Sequence, residues 1–170
     1  MAFSFNLSET KMTRLWDFGW FDLTRFNIGG VADSDTAVEA ILADFLADAV
    51  SQRSFCTPGP WGEAVGHHGP FLHEMMESDW YRQITAPQLA AGVQAALNDS
   101  SFDEPPALEQ RVKVETWVAS VSHGSTLLVL DAPSAPEIRV EFSFIWPFFH
   151  EFIAVTPDRS ELWVGVVSCD

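Results

Sequence analysis

The chain has 170 residues, of which 47 % are hydrophobic and 19 % are charged, and its formal net charge is −15. This apolar content is enough for a folded core, and the length suits a single domain over residues 1–170. The negative charge repels phosphate backbones, so nucleic acid is not an expected partner and a basic protein is favoured. The charge is concentrated between residues 26 and 110, where 13 acids accompany two bases, Arg53 and Arg82.

The first hundred residues are predicted to be mainly helical. Ser8 is a candidate N-cap for a short helix that ends near Trp16. The clearest helix follows Thr36, which forms a capping-box pattern with Glu39. Its apolar residues recur at helical spacing and form one stripe: Val38, Ile41, Leu42, Phe45, Ala49 and Val50.

Two further helices are predicted after a loop over residues 55–69, which is rich in glycine and proline. The longer of the two fits the sequence TAPQLAAGVQAALNDSS, because Thr85 can cap it and Gln88 completes a capping box. Before it, Pro70 suits the first turn of a short helix. The apolar side of that short helix consists of Leu72, Met75, Met76 and Trp80.

An acidic, proline-containing segment over residues 98–106 is the expected boundary between a helix-rich part, 1–100, and a β-rich part, 107–169. Beyond this segment the apolar period changes from helical to two. The alternation predicts an α+β fold, in which the helical N-terminal half packs on a C-terminal antiparallel β-meander of four or five strands. The expected strands cover residues 112–118, 126–131, 138–146, 148–155 and 161–167.

Signals for targeting and for cofactor binding are missing from the sequence. The N-terminus MAFSFNLSETK lacks the pattern of a signal peptide, and no apolar run is long enough to span a membrane. We therefore expect a cytoplasmic protein without membrane contact, in which Cys56 and Cys169 are free thiols. Glycine-rich nucleotide-binding patterns and the G-x-S-x-G nucleophile elbow are also missing, so no cofactor is expected. The oligomeric state stays open.

The stretch GHHGPFLHEMMESDW holds three of the five histidines. Within it, HEMME is close to the zinc-binding pattern HExxH and places His73 and Glu77 one helical turn apart. His67, His68 or His150 could supply a third ligand, and His73, Glu77 and His150 form the alternative metal site. The favoured interpretation is a solvated loop at His67 and His68 that leads into a helix with exposed polar residues, so no metal is expected.

His150 and Glu151 lie together in the predicted strand FFHEFIAV. Alternation sends their side chains to opposite faces of the sheet, so whichever face is buried carries one polar group. A buried imidazole or carboxylate needs a partner, and such groups cluster at functional sites. The favoured interpretation is an edge position with one side chain in water. The alternative is a small-molecule-binding protein or a metal-dependent enzyme, with a pocket between sheet and helices that uses His73, His150 and Glu151.

Acidic and large apolar side chains remain as candidates for a partner-binding surface. The size, the acidity and the order of the elements resemble those of small bacterial immunity or inhibitor proteins, which neutralise a toxin by occupying its surface. The charge concentrated between residues 26 and 110, without catalytic motifs, favours a non-enzymatic module that is steered to a basic protein by charge and then buries an aromatic anchor. The expected partner-binding residues are Asp44, Asp48, Phe71, Glu74, Glu77 and Trp80.

Overall fold

The computed structural model describes residues 2–30, 32–53, 55, 66–99, 102 and 104–169. The strands in these residues are β1 (Ser4–Trp16), β2 (Gly19–Gly29), β3 (His67–His68), β4 (Phe71–Leu72), β5 (Tyr81–Ile84), β6 (Thr126–Leu130), β7 (Phe148–Val155) and β8 (Glu161–Cys169). The α-helices are α1 (Val38–Ala47), α2 (Ala86–Leu97) and α3 (Leu108–Ser122). Short 3₁₀ helices cover Ala49–Ser51, His73–Met75, Ser78–Trp80, Pro136–Ile138 and Ser143–Ile145.

Six strands form one antiparallel sheet in the order β1-β2-β8-β7-β6-β5, and β3 and β4 form a separate small hairpin. The centre of the large sheet joins the beginning and the end of the chain, because β2 pairs with β8 and β8 pairs with β7. Along the chain, the helices therefore lie between strands that belong to one sheet, and they are not confined to one half of the sequence.

Each face of the sheet packs against its own core. On β8, Val164 and Val166 belong to the cluster that contains the apolar residues of α1. Trp163 and Val167 of the same strand belong to the cluster that contains those of α2 and α3. This division follows from the alternation of side chains along a strand. The sheet is therefore the middle of three layers.

The layer on the first face contains α1 and two irregular segments. Segment 66–80 contributes Phe71, Met76 and Trp80 to the α1 cluster. Segment 136–146 is attached to it, because the Val140 amide donates to the Pro70 carbonyl at 3.1 Å. We call residues 33–53, 66–80 and 136–146 together the α1 layer, and residues 86–99 and 104–125 the α2–α3 layer.

The prediction of a helical N-terminal half packed on a C-terminal meander is wrong. The long β1–β2 hairpin takes the place of the helix predicted from Ser8. The register shifts at Ser8, and such a bulge moves the following odd-numbered residues to the other face of the sheet. Phe5 consequently packs in the α1 cluster and Leu15 in the α2 and α3 cluster. Because the strand serves both cores, its apolar residues do not keep a period of two.

The strand predicted over residues 112–118 is also wrong, since this segment belongs to α3. Its valines fit both the period of two that is typical of a strand and the period of a helix. Val114, Val118 and Val121 lie on one helical face and are buried, whereas Val112 is 51 % exposed. Packing of this face against the sheet and α2 stabilises the helix, despite the β-branched residues in it.

Two further segments differ from the prediction. Residues 70–80 contain β4 and two 3₁₀ turns in place of a helix that starts at Pro70. Residues 138–146 lie mostly outside any strand, and Arg139 makes a single bridge to Phe71. Ile138 and Val140 are both buried, so their alternation reflects packing over β4 and not pairing within the large sheet.

The predictions of α1, α2, β6, β7 and β8 are confirmed. Thr85 caps α2 through the expected box, because its hydroxyl and the Gln88 side chain each accept from the other residue's backbone amide. The α1 helix begins at Val38, with Ala37 at its N-cap position. Thr36 therefore does not cap the helix, and its hydroxyl accepts from the Asp33 amide. Within the described ranges, no helix is long and apolar enough to cross a membrane.

Candidate functional site

The register of the large sheet places three polar side chains in one row. Val166 of β8 pairs with Asp22 of β2 on one side and with Glu151 of β7 on the other. Tyr81 of β5 pairs with Leu130 of β6. The β6–β7 pairing ends one position earlier, at Val129 and Phe152, and the same register extended by one residue brings this row to Glu151. Paired positions on neighbouring strands point to the same face. Asp22, Glu151 and Tyr81 therefore all point towards the α1 layer.

Glu151 is the centre of a buried hydrogen-bond network. Its Oε2 lies 2.6 Å from Nε2 of His68, and its Oε1 accepts from the Tyr81 hydroxyl at 2.7 Å. The side chains of His68 and Glu151 are 1 % and 0 % exposed. A carboxylate at this depth is stable only with a charged partner and further hydrogen bonds. We call His68, Tyr81 and Glu151 the buried triad.

His68 has an acceptor at each ring nitrogen. Its Nδ1 lies 2.6 Å from the Ser51 carbonyl oxygen, and its Nε2 faces the Glu151 carboxylate. Only the imidazolium form can donate to both oxygens. Burial lowers the pKa of His68, but the charge and hydrogen bond of Glu151 and the Ser51 carbonyl outweigh burial, so the pKa is raised. The pair is therefore ionic over a wider pH range than an exposed histidine would allow.

The other buried polar groups of this row are neutral donors or paired ions. Burial raises the pKa of Tyr81 well above its ordinary value, with a further contribution from Glu151, so Tyr81 remains a phenol that donates. Asp22 lies 3.3 Å from the Arg53 guanidinium and accepts from the Thr24 hydroxyl at 2.7 Å. Burial nevertheless raises the pKa of Asp22, against the opposing effects of Arg53 and Thr24.

The β3–β4 hairpin holds His68 above the sheet. Its turn contains Gly69 at a φ of 52°, in the left-handed region that favours glycine. A Cβ atom on Gly69 would also lie 2.5 Å from the Phe149 ring. The hairpin is fixed to α1's C-terminal connection, because the Gly69 amide donates to the Arg53 carbonyl at 2.7 Å. Phe55 covers His68 edge-on, with ring centroids 5.2 Å apart.

The geometry of the triad favours a structural role. Both oxygens of Glu151 and both nitrogens of His68 are already hydrogen-bonded, so neither group is a free base. The network joins β7, β5, β3 and the segment after α1, which are distant in sequence. It consequently fixes the position of the α1 layer on the sheet.

The prediction of a solvated loop at His67 and His68 is wrong, because these residues are 4 % and 1 % exposed. His67 packs edge-on against Phe142, and its Nδ1 lies 3.0 Å from the Gly69 carbonyl oxygen. Burial lowers the pKa of His67. Flanking glycines indicated a loop, but here they provide the tight turn that lets both imidazoles enter the core.

The residues of the alternative metal site are not brought together. His73 lies in the α1 layer, where its Nε2 is 2.7 Å from the Ser51 hydroxyl. Glu77 is exposed, and His150 lies on the opposite face of the sheet, beside Gly92 of α2. Among the residues that the structure describes, no three or more His, Cys, Asp or Glu side chains are grouped to hold a metal ion. The thiol of Cys56 lies outside these residues.

His150 and Glu151 point to opposite faces, as the alternation predicts, so they do not form one site. Glu151 enters the triad, whereas His150 lines a cavity of about 260 Å³ between α2 and the sheet. The His150 Nε2 atom is buried and has no hydrogen-bond partner among the described residues. Burial lowers the pKa of His150, against the effect of the Glu151 charge.

The expected partner-binding residues fall into three groups. Phe71 and Trp80 are core residues, 4 % and 8 % exposed. Asp44 accepts hydrogen bonds from the Ala2 and Phe3 amides, and Asp48 accepts from the Val50 amide. The third group remains as exposed carboxylates on the surface of the α1 layer: Glu74 and Glu77.

The sequence did not reveal the partners of Glu151. His68 is 83 residues away along the chain and Tyr81 is 70 residues away, and no local pattern connects them. One signal was present, because a glutamate in the middle of an apolar strand requires a buried cation or donor. A histidine between two glycines is a suitable candidate once the loop is allowed to be buried.

Comparison of the chain with protein-family models, with curated proteins and with solved structures gives no match. No residue role is therefore carried over from a relative. The contacts, burial and charges of the described residues are the basis on which a function can be assigned.

Proposed function

We propose that this protein is a non-enzymatic binding module for a basic protein, which it meets with the α1 layer. The observation that supports the proposal is the distribution of charge between the layers. The α1 layer holds ten carboxylates and two arginines, whereas the α2–α3 layer holds four carboxylates and two bases. Its acids are Asp33, Asp35, Glu39, Asp44, Asp48, Glu74, Glu77, Asp79, Glu137 and Glu141.

The two arginines of the α1 layer offset only part of this charge. Arg53 is paired with the buried carboxylate of Asp22. Arg139 is exposed and stands over the Phe71 ring at 5.1 Å. A surface with one sign of charge accelerates encounter with a partner of the opposite sign and disfavours acidic competitors. Among the described residues, the α1 layer is therefore the more acidic of the two outer layers.

Exposed apolar side chains in the same layer are suitable for contact after encounter. Phe144 is 76 % exposed and Met75 is 37 % exposed. Aromatic and methionine side chains with charged surroundings are typical of interface cores and rims. These two residues replace Phe71 and Trp80 as candidates for the anchor, since the latter are required by the core.

An inhibitor or immunity protein is the form of this function that we favour. Such a protein occupies the surface of a basic toxin and needs a fixed binding surface more than a catalytic group. The buried triad supports this role by holding the α1 layer in one position on the sheet. A surface fixed before encounter loses less conformational entropy on binding than a mobile one.

Capture with matched variants tests the proposal. Three baits are immobilised: the wild type, an α1-layer variant and an α2–α3-layer variant. The α1-layer variant carries Glu39→Gln, Glu74→Gln and Glu77→Gln. The control carries the same change at Glu104, Glu109 and Glu115, so both variants lose three negative charges from exposed positions.

We expect a basic protein from the native lysate to bind the wild type and the control at low salt and to be lost from the α1-layer variant. Binding should weaken as salt rises, because exposed charges are screened beyond a Debye length of about 8 Å at physiological ionic strength. Recovery of the same proteins on all three baits, or of no basic protein on any bait, would exclude the proposed surface.

A further inference from the structure

The cavity beside His150 is a second candidate site, on the other face of the sheet. Its walls are formed by α2 and by strands β5, β6 and β7. The volume of about 260 Å³ lies somewhat below the range of about 300–1,000 Å³ that suits drug-sized ligands. It suits a small molecule. The lining residues are Arg82, Ile84, Gln88, Leu89, Val129 and His150, together with Ala91 and Gly92.

One of the residues that line this cavity carries a buried nitrogen without a hydrogen-bond partner. The Nε2 atom of His150 is buried without a hydrogen-bond partner in the described part of the chain. Buried polar atoms are almost always hydrogen-bonded, and leaving one unpaired is unfavourable. His150 is one of the residues that line the cavity, so a molecule bound there is a candidate for the missing partner.

Two more donors line the same cavity. Gln88 uses its Oε1 to accept from the Thr85 amide at 2.8 Å, which leaves its amide nitrogen as a donor. Arg82 on β5 is exposed and forms no ion pair with any described residue. With its proton on Nε2, the neutral His150 ring is a third donor. A guanidinium, an amide N–H and an imidazole N–H all suit a carboxylate. The remaining walls, Ile84, Leu89 and Val129, are apolar.

We propose that this cavity binds a small monocarboxylate whose non-polar part lies against Ile84, Leu89 and Val129. The carboxylate accepts from Arg82, from the Gln88 amide and from His150 Nε2. Arg82 neutralises the ligand charge at the mouth of the cavity, while the apolar walls favour a branched aliphatic or aromatic acid over acetate. This site is independent of the acidic surface, because it lies on the opposite face of the sheet.

Gly92 keeps the cavity open. A Cβ atom at this position would lie 3.6 Å from the His150 ring, which is an ordinary contact. A single methyl group is therefore tolerated, whereas a larger side chain would extend over the imidazole and fill the space. Gly92→Leu consequently closes the site without removing any of the three donors.

Nuclear magnetic resonance of the histidine side chains tests the site on the full chain. Benzoate and isobutyrate are titrated as ligands, with benzamide as the neutral analogue of the first and acetate as an anion without the apolar part. The His150 ring signals are assigned from their loss in His150→Phe. Arg82→Gln is compared with Lys113→Gln, which removes an equal charge from α3, and Gly92→Leu is checked for a native spectrum.

We expect at least one of benzoate and isobutyrate to shift the His150 signals saturably, with benzamide and acetate binding at least tenfold more weakly, a difference of about 1.4 kcal/mol. Arg82→Gln should weaken binding about tenfold and Lys113→Gln should leave it unchanged. Binding that persists in a folded Gly92→Leu variant, equal binding of benzamide, or no saturable shift with either acid would overturn the proposal. If Gly92→Leu does not fold, the comparison of Arg82→Gln with Lys113→Gln decides.

Discussion

At the scale of single residues, Glu151 is the group on which the buried triad depends. It accepts from His68 and from Tyr81, and it is fully buried. Glu151→Leu removes both acceptors and leaves an imidazole and a phenol unpaired. We expect a loss of about 3–5 kcal/mol in the free energy of unfolding, as for other buried pairs that lose one partner. Urea denaturation measures it.

A surface glutamate provides the control for this substitution. Glu141 is exposed and lies in the α1 layer, and Glu141→Leu should change stability by at most about 0.5 kcal/mol. Comparable losses for the two variants would mean that the triad contributes no more than an ordinary surface residue.

The pH dependence of stability gives a second test of the triad. The pKa of His68 is raised in the folded protein, above an unfolded value of about 6.5. The stability from this shift is complete below the unfolded pKa and is lost as the pH rises through the folded pKa. The destabilisation caused by His68→Gln should therefore be larger at about pH 5.5 than at about pH 9.

The difference between wild type and variant removes the larger part of the contribution of the other buried histidines. Burial lowers the pKa of His67, His73 and His150, and these shifts disfavour the folded state as the pH falls through the unfolded value. The part of these shifts that comes from burial opposes His68 in the wild type and cancels in the difference, whereas the smaller part that the His68 charge contributes to His67 and His73 does not cancel. A destabilisation that instead grows towards high pH would contradict the ionic pair.

At the scale of elements, two glycines show how the packing of a strand and of a helix differ. A Cβ atom on Gly165 of β8 would lie 2.2 Å from the Phe152 ring, whereas one on Gly92 of α2 would lie 3.6 Å from His150. Gly165→Ala should cost about 1–3 kcal/mol through overpacking. Gly92→Ala should gain about 0.5–1 kcal/mol, because alanine is the better helix former.

The same denaturation series measures both glycine variants. Opposite signs for one chemical change would confirm that the ring of Phe152 occupies the place of a side chain at Gly165. A neutral Gly165→Ala would show that Phe152 moves freely, and that the second face of the sheet is loosely packed.

Sequence patterns predicted those elements that are locally determined. The capping box of Thr85 and Gln88 predicted α2, and the apolar run FFHEFIAV predicted β7. The β1 strand was missed because the bulge at Ser8 breaks its period, and α3 was missed because its valines fit both periods. These two elements are decided by pairing with β2 and by packing on the sheet, which depend on distant residues.

The candidate sites divide in the same way. The opposite orientation of His150 and Glu151 was predicted from the alternation of side chains along a strand. The exposure of Glu74 and Glu77 was predicted from the neighbouring residues in the sequence. The burial of His68 and its pairing with Glu151 could not be predicted, since the two residues meet only when β7 lies beneath the β3–β4 hairpin. Phe71 was likewise predicted to lie on a binding surface, but it is buried in the core.

At the scale of the whole molecule, the charge of the α1 layer should affect stability as well as binding. Ten carboxylates in one layer repel each other, and added salt screens this repulsion. We expect the melting temperature to rise between low and moderate salt. The α1-layer variant should be more stable at low salt by about 0.5–1 kcal/mol and respond less to salt than the control variant.

Calorimetry in a salt series measures this effect on all three proteins. Equal gains for the α1-layer and control variants would mean that the excess charge is spread over the whole surface. The proposed binding surface would then lose the asymmetry on which it is based.

The association rate of the captured basic protein with the three forms of the chain tests the central claim most directly. Charge steering raises such rates by about tenfold or more at low salt, and the gain disappears as salt increases. We predict that Glu39→Gln, Glu74→Gln and Glu77→Gln together slow association about tenfold at low salt. The variant at Glu104, Glu109 and Glu115 should retain the wild-type rate, and all three rates should converge at high salt. Equal slowing by both variants, or rates that do not depend on salt, would contradict the assignment of binding to the α1 layer.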